Sequence, residues 1–227
     1  IVTNDLDAAR IGAVSIGSGA YLGADSAIAI GANSYVTQES SIAIGSGAFV
    51  TSVNSVAIGK KSYNSGGSSI SIGANTFAGT SSVAIGYDVD THDHAVAIGS
   101  DIHQYSVGIG SRIYGAGSVA NSVILGYQIN WNSLNALDNN CVVIGAYAAD
   151  KTGYNTSYAT IIGRSSAGDT RGTALGAQTD AGTYAVAIGN SAKAPASGLV
   201  IGAAADNSIL SGLFNSSAAS TNGYLLT

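Results

Sequence analysis

Two of the three histidines stand two residues apart in His92-Asp93-His94, and His103 follows one repeat later. On a strand, residues i and i+2 share a face, and two imidazoles on one face are the beginning of a transition-metal site. Read as a turn, the same three residues are simply solvated. The expectation is therefore no bound metal and no cofactor, with His92 and His94 as the residues a metal would use. The 13 acidic residues are spread thinly, mostly in turn-like segments (Asp25, Glu39, Asp88, Asp101, Asp180). Asp88, Asp90 and Asp101 come nearest to the paired carboxylates a glycosidase needs. The sequence carries no phosphate loop of the G-x-x-x-x-G-K-[ST] form and no G-x-S-x-G nucleophile elbow. A non-enzymatic protein is expected.

The aromatic residues fall into two groups. Tyr21, Tyr35, Phe49, Tyr63 and Phe77 recur every 14 residues, with Tyr114 recurring later. A second group, Tyr127, Trp131, Tyr147, Tyr154 and Tyr158, lies among asparagines such as Asn130, Asn132, Asn135, Asn139 and Asn140. Tyr and Trp combine a large apolar face with a polar edge and suit contact surfaces. Both groups are candidate surface-binding residues. The first also reads as a purely structural ladder, and the second as loop drift.

What positions these residues is an internal repeat. The tetrapeptide Val/Ile-x-Ile/Leu-Gly recurs with its glycine at 17, 31, 45, 59, 73, 86, 99, 110, 126, 145, 163, 176, 189 and 202. The residue before each glycine is Ile or Leu. The third before it is Val, Ile or Leu, except Thr160 and Thr173. The fourth before it is always small: Ala13, Ala27, Ser41, Ser55, Ser69, Ser82, Ala95, Ser106, Ser122, Cys141, Ala159, Gly172, Ala185 and Gly198. Alternation of large and small residues is a period-2 strand signal, and the glycine permits a turn with positive φ. A second short strand is expected three or more residues after the glycine. Each repeat of about 14 residues then forms two strands and two turns, one coil of a β-solenoid. A coiled coil is disfavoured by a glycine in every repeat and by the scarcity of Glu, Lys and Leu. About 14 coils at ~4.8 Å per rung would make a rod of roughly 65 Å.

The expected packing puts the aliphatic columns inside the coil and the small columns outside. Outward Ala27, Ser41, Ser55, Ser69, Ser82, Ala95, Ser106 and Ser122 would then form a smooth strip, suited to a subunit interface because small side chains let backbones approach closely. The single Cys141 falls in this column as a packed small residue. The aromatic column at the fourth residue after the glycine, flanked by inward positions, is expected to face outward.

Composition agrees with such a repeat. Charged residues make up 9% of the chain against roughly 25% in ordinary globular proteins, hydrophobic residues 46%, and glycine reaches 31. A net charge of −5 supplies no basic footprint for nucleic acid or anionic membrane. One cysteine allows no disulfide framework. No apolar run approaches the roughly 18 residues of a membrane span. The chain starts at Ile1 and reads as a fragment of something longer.

The motifs Ser55-Val56-Ala57-Ile58-Gly59, Ser82-Val83-Ala84-Ile85-Gly86 and Ala185-Val186-Ala187-Ile188-Gly189 resemble the head repeats of trimeric autotransporter adhesins of the YadA type, over about residues 11–205. The resemblance implies an all-β, left-handed parallel β-roll, three of which pack side by side as a homotrimer. It implies an extracellular, outer-membrane-displayed adhesive head at the bacterial cell surface, contributing to virulence by binding host matrix proteins, glycans or cell-surface receptors. Threefold repetition of His92 and His94 would bring six imidazoles toward one metal. Residues 1–10 are expected as a lead-in and 206–227 as a C-terminal cap or connector. The sequence departs from the family between Gly110 and Gly163, where excursions 111–121, 127–140 and 146–158 interrupt the repeat. It also shows no basic neck after the last coil and no membrane anchor. Similar repeats occur in phage tail fibres, so a tail-fibre segment that recognises a bacterial surface receptor is the alternative. An ice-binding β-solenoid is a third reading, weakened by the absence of a regular Thr-x-Thr column.

Overall fold

The computed structural model describes residues 10–104, 107–114, 122–130, 140–148 and 158–202, with the backbone alone for 101–104, 114 and 130. Trp131, Tyr154 and Ser106, most of the three excursions and all of 206–227 lie outside these residues. The described chain is an all-β, parallel β-solenoid of about 11 turns, with no helix among the described residues. It divides into two compact units, residues 1–114 and 115–227.

In the first unit the motif strands are Val14–Ile16, Ile28–Ile30, Ile42–Ile44, Val56–Ile58, Ile70–Ala74, Val83–Thr91, Val96–Gln104 and Val107–Tyr114. Consecutive members of this series pair in parallel in constant register: Val14 with Ile28, Ile28 with Ile42, Ile42 with Val56, Val56 with Ile70, and on to Val96 with Val107. A second ladder is built by Tyr21–Leu22, Tyr35–Val36, Phe49–Val50, Tyr63–Asn64 and Phe77–Ala78. From Val83 on, the two strands of a coil run together through the motif glycine. In the second unit the motif strands are Val123–Asn130, Val142–Ala146, Thr160–Ile162, Thr173–Leu175, Val186–Ile188 and Leu199–Ile201. Its second ladder is Ala167–Gly168, Asp180–Ala181 and Lys193–Ala194.

Both turns of a coil use one left-handed residue. The fifth residue before the glycine has φ of 52–60° at Ser26, Ser40, Asn54, Ser68, Ser81 and His94. The second residue after it does the same at Asn33, Lys61, Asn75 and Asp88, with glycine there at Gly19 and Gly47. Asn, Asp and Gly tolerate this conformation best, and the turn composition follows from it. The turns are also hydrogen-bonded from coil to coil, as in Asn33 N–H to Ser18 O (2.9 Å) and Lys61 N–H to Ser46 O (3.0 Å). Backbone groups that a loop would leave to water are thus satisfied by the next rung.

The interior corrects the expected packing. Inside the coil lie the second and fourth residues before the glycine, and the third and fifth after it. Ala29, Ala43, Ala57 and Ala84 are fully buried, facing Ala20, Ala48, Leu22, Val36 and Val50. The column expected outside as an interface is inside too: Ala27, Ser41, Ser55, Ser69, Ser82, Ala95 and Ser122 are all buried within the single chain. Cys141 is buried with them. Conversely the aliphatic columns, the first and third before the glycine, face out, with Val14, Ile16, Ile70, Ile72, Ile98 and Ile109 exposed by 36–42%.

The physical reason is width. Two strands joined by tight turns of one coil stand close together, and side chains reach inward from both. Alanine and serine fill that space, with Leu22, Val36 and Val50 supplying the bulk. Serines are admitted because each finds a partner. Ser41 Oγ donates to Ser52 O (2.8 Å), Ser69 Oγ to Gly66 O (2.6 Å), and Ser82 Oγ to the carbonyl of His92. Buried hydroxyls without such partners would cost about 1–3 kcal/mol each.

Candidate binding surfaces

Three surfaces stand out, each produced by one or two columns of the repeat. The first is the outward aliphatic face. On the motif strand the inward residue is flanked by two outward ones, so each coil adds two Val, Ile or Leu side chains to one face, except where Thr160 and Thr173 replace one of them. In the first unit this gives Ile28 and Ile30, Ile42 and Ile44, Val56 and Ile58, Ile70 and Ile72. The second unit repeats it with Val123, Ile162 and Ile201 exposed by 37–38%. A contiguous apolar face of this kind is characteristic of a covered interface. Its two columns are regular in the sequence, and their size alone points to the interior.

The second surface is the aromatic ladder of the first unit. As expected, the column faces outward: Tyr21, Tyr35, Phe49, Tyr63 and Phe77 are half-buried between inward neighbours. Their rings stack with centroids 4.8, 4.5, 5.2 and 5.3 Å apart and planes within 7–23° of parallel. The rung spacing of a parallel sheet imposes this distance, which falls in the range of favourable aromatic pairs. The consequence for binding is specific. Each internal ring has both faces covered by its neighbours, so the strip offers ring edges and tyrosine hydroxyls along its length. Beyond Phe77 the strand partner is Asp90, where the ladder ends.

The third surface lies in the second unit. Tyr158, Arg171 and Tyr184 occupy the left-handed turn position, five before the glycine, in three successive coils, with φ of 58°, 55° and 57°. The guanidinium carbon of Arg171 lies 5.4 Å from the ring centroid of Tyr158 and 5.3 Å from that of Tyr184. Arg171 Nη1–H also donates to Tyr184 Oη at 2.9 Å. Both tyrosines remain open, at 57% and 58% exposure. The sequence offers Tyr158 as a candidate by its aromatic character, but not Arg171 or Tyr184, because the register of turn positions becomes visible only once φ is known.

Of the other candidates, Tyr127 and Tyr147 are brought together edge to face, with centroids 5.9 Å apart and planes at 82°. An open groove in the same unit is lined by Tyr147, Ser165, Gln178, Asp180, Ser191 and Lys193.

His92, Asp93 and His94 form a turn. Asp93 Oδ1 accepts the backbone N–H of Thr80, one coil earlier, at 2.6 Å. That hydrogen bond, assisted by the nearby histidines, holds the Asp93 carboxyl below the ordinary aspartate range. Among the described residues no group of three or more His, Cys, Asp or Glu is placed to hold a metal. Asp88 takes the left-handed turn position and Asp90 the outward position after Phe77. The side chain of Asp101 lies outside the description.

Compared with models of known protein families and with curated proteins, the chain gives no match.

Proposed function

We propose that this chain is a non-enzymatic, extracellular adhesive head module that works as a homotrimer of left-handed β-rolls of about 14 coils packed side by side. It attaches to host matrix proteins, glycans or surface receptors from the bacterial cell surface. The observation that carries this reading is the outward aliphatic face. A solenoid already fills its own interior with alanine, serine and a few larger residues. The Val and Ile columns are therefore spare apolar surface, renewed in every coil. Burying that face between copies is favourable at roughly 25 cal/mol per Å² and explains a surface with few charges. Copies of one chain joined along a shared axis follow the closed symmetry usual for homo-oligomers. Multiplication of weak contacts over three copies and many molecules would then give avidity.

The experiment is to measure the mass of the purified chain by light scattering, and then to compare the retention of chain-coated beads on matrix- and glycan-coated surfaces with that of uncoated beads. Particles of three chains and retained beads are expected. A stable monomer overturns the assembly, and retention equal to that of uncoated beads overturns the adhesive role.

A further inference from the structure

We propose that Tyr158, Arg171 and Tyr184 form a binding site for a saccharide carrying a carboxylate, such as a uronic or sialic acid residue. The inference rests on the adhesive reading and gives it a ligand class. A guanidinium carries five N–H donors, all in its own plane, and its two faces are free to stack. Here the guanidinium carbon lies 5.4 and 5.3 Å from the two ring centroids, and one donor goes to Tyr184 Oη. Arg171 is itself exposed, which leaves its remaining donors open to solvent. Among the described residues no carboxylate pairs with Arg171. The acid nearest in sequence, Asp169, is held elsewhere: Oδ1 accepts Thr170 N–H at 2.7 Å and Oδ2 accepts the Thr183 hydroxyl at 2.8 Å. In a chain of net charge −5, an exposed cation held between two tyrosines, with no carboxylate partner among the described residues, is a site prepared for an external oxyanion.

The tyrosines decide between classes of ligand. They stand two rungs apart, about 10 Å, with the cation midway between them. Their exposed ring surfaces and hydroxyls flank the bound oxyanion on both sides, matching a sugar acid whose neighbouring rings present C–H faces and hydroxyl groups. A single fixed cation, with no second one stacked beside it among the described residues, suits one carboxylate better than a densely charged polyanion. An acidic peptide, with flexible side chains and no rigid rings to lie along the tyrosines, gains only the ionic contact.

The test titrates the full chain with sialyllactose and with a short hyaluronate oligosaccharide, against lactose, a sulfated oligosaccharide and an oligoglutamate peptide, by calorimetry. One or both carboxylate sugars should bind at least tenfold more tightly than lactose and the peptide. Arg171→Gln should lower that affinity at least tenfold, and Arg171→Lys should lose most of it, because an ammonium keeps the charge but not the planar fork. Tyr184→Ala should weaken binding severalfold. Thermal melts check that the variants fold; Arg171→Lys, the mildest change, keeps the test valid if Tyr184→Ala does not. Unchanged binding by Arg171→Gln, equal binding of lactose or the peptide, preference for the sulfated sugar, or no binding at all would overturn the site. Bead retention separates the two readings. Adhesion that survives Arg171→Gln leaves the adhesive role standing without this site. Saccharide binding by a chain that does not hold beads leaves the site standing without that role.

Discussion

A first side-chain carbon on Gly31 would sit 2.5 Å from the carbonyl oxygen of Gly45, the equivalent residue one coil on. The glycine column is therefore a place where consecutive backbones touch, and Gly31 also holds a φ of 129° that L-residues avoid. Gly31→Ala should destabilise the fold by about 3 kcal/mol or more, since the obstacle is backbone and cannot swing aside. Gly67 is the control. It lies in a turn with ordinary φ, and a Cβ there would rest 3.8 Å from Val53. Gly67→Ala should stay within about 1 kcal/mol of the parent, on the stabilising side, because it restricts the unfolded chain. Urea unfolding of the two variants checks the contrast.

The inversion of inside and outside makes a second contrast. Ala43 is fully buried, while its neighbour Ile44 is half-exposed. Ala43→Leu should cost about 1–3 kcal/mol by overpacking a narrow interior. Ile44→Asp should change the stability of the isolated coil stack far less, yet abolish assembly by placing a charge in the apolar face. Denaturant melts together with light scattering separate the two effects. The reverse pattern would mean that the aliphatic columns fill the coil.

That contrast also locates what the sequence conveys. The coil, its two strands, its length and its glycine column are all legible, because period-2 alternation and glycine punctuation are properties of one chain read locally. The outward aromatic column is legible for the same reason. Alternation separates two faces without labelling them. Assigning the larger side chains to the core fails here, because a coil of 13–14 residues encloses too little width for Ile on both sides. The useful signal lay in the complementary column. Residues three and five after the glycine supply Leu22, Val36 and Val50, which already fill the space opposite an alanine. Size compensation shows this again at Ile161, whose Cγ1 lies 3.1 Å from where a Cβ on Gly168 would stand. The Tyr158–Arg171–Tyr184 stack was out of reach for a different reason. Residues 13 apart meet only because a turn position repeats at the length of that coil, and that length varies between 11 and 19 along the chain.

A ring of three buried hydroxyls provides a third prediction. Ser62 Oγ donates to Ser71 Oγ (2.8 Å), Ser71 Oγ to Thr76 Oγ1 (2.6 Å), and Thr76 Oγ1 back to Ser62 Oγ (3.0 Å). Removing the Ser71 hydroxyl takes a donor from Thr76 Oγ1, while Ser62 Oγ keeps the Ser71 carbonyl as an acceptor at 2.8 Å, so Ser71→Ala should cost about 1 kcal/mol. Replacing all three, as Ser62→Ala, Ser71→Ala and Thr76→Val, should recover much of that loss, because no orphan hydroxyl remains. A triple variant weaker than Ser71→Ala would refute the idea that the cost lies in unsatisfied partners.

In the aromatic ladder, Phe49 sits between Tyr35 and Tyr63 and makes the tightest and most parallel stack, with Tyr35. Phe49→Ala removes two ring pairs and leaves a gap in a half-buried column, so a loss of about 2–3 kcal/mol is expected. Phe49→Tyr keeps both stacks and should be nearly neutral. Because the ring faces are mutually covered, Phe49→Tyr should also leave bead retention unchanged. A change in retention without a change in stability would show that the ladder itself contacts the ligand.

The last prediction concerns acid. The Asp93 carboxyl is held below its ordinary value of 3.8, chiefly by the Thr80 backbone N–H that it accepts. A group whose pKa falls on folding stabilises the native state while ionised. Its contribution is complete above the unfolded value and fades as pH drops through the folded one. The Asp93–Thr80 bond therefore supports the stacking of two coils at neutral pH and releases it below 3.8. Asp93→Asn keeps the shape, loses the charge, and should melt lower than the parent at neutral pH. In strong acid the two melting temperatures should converge, because the parent carboxyl is then neutral as well. Thermal melts of both proteins across the acid range check this, and a gap that persists unchanged into strong acid would assign the effect to shape instead of charge.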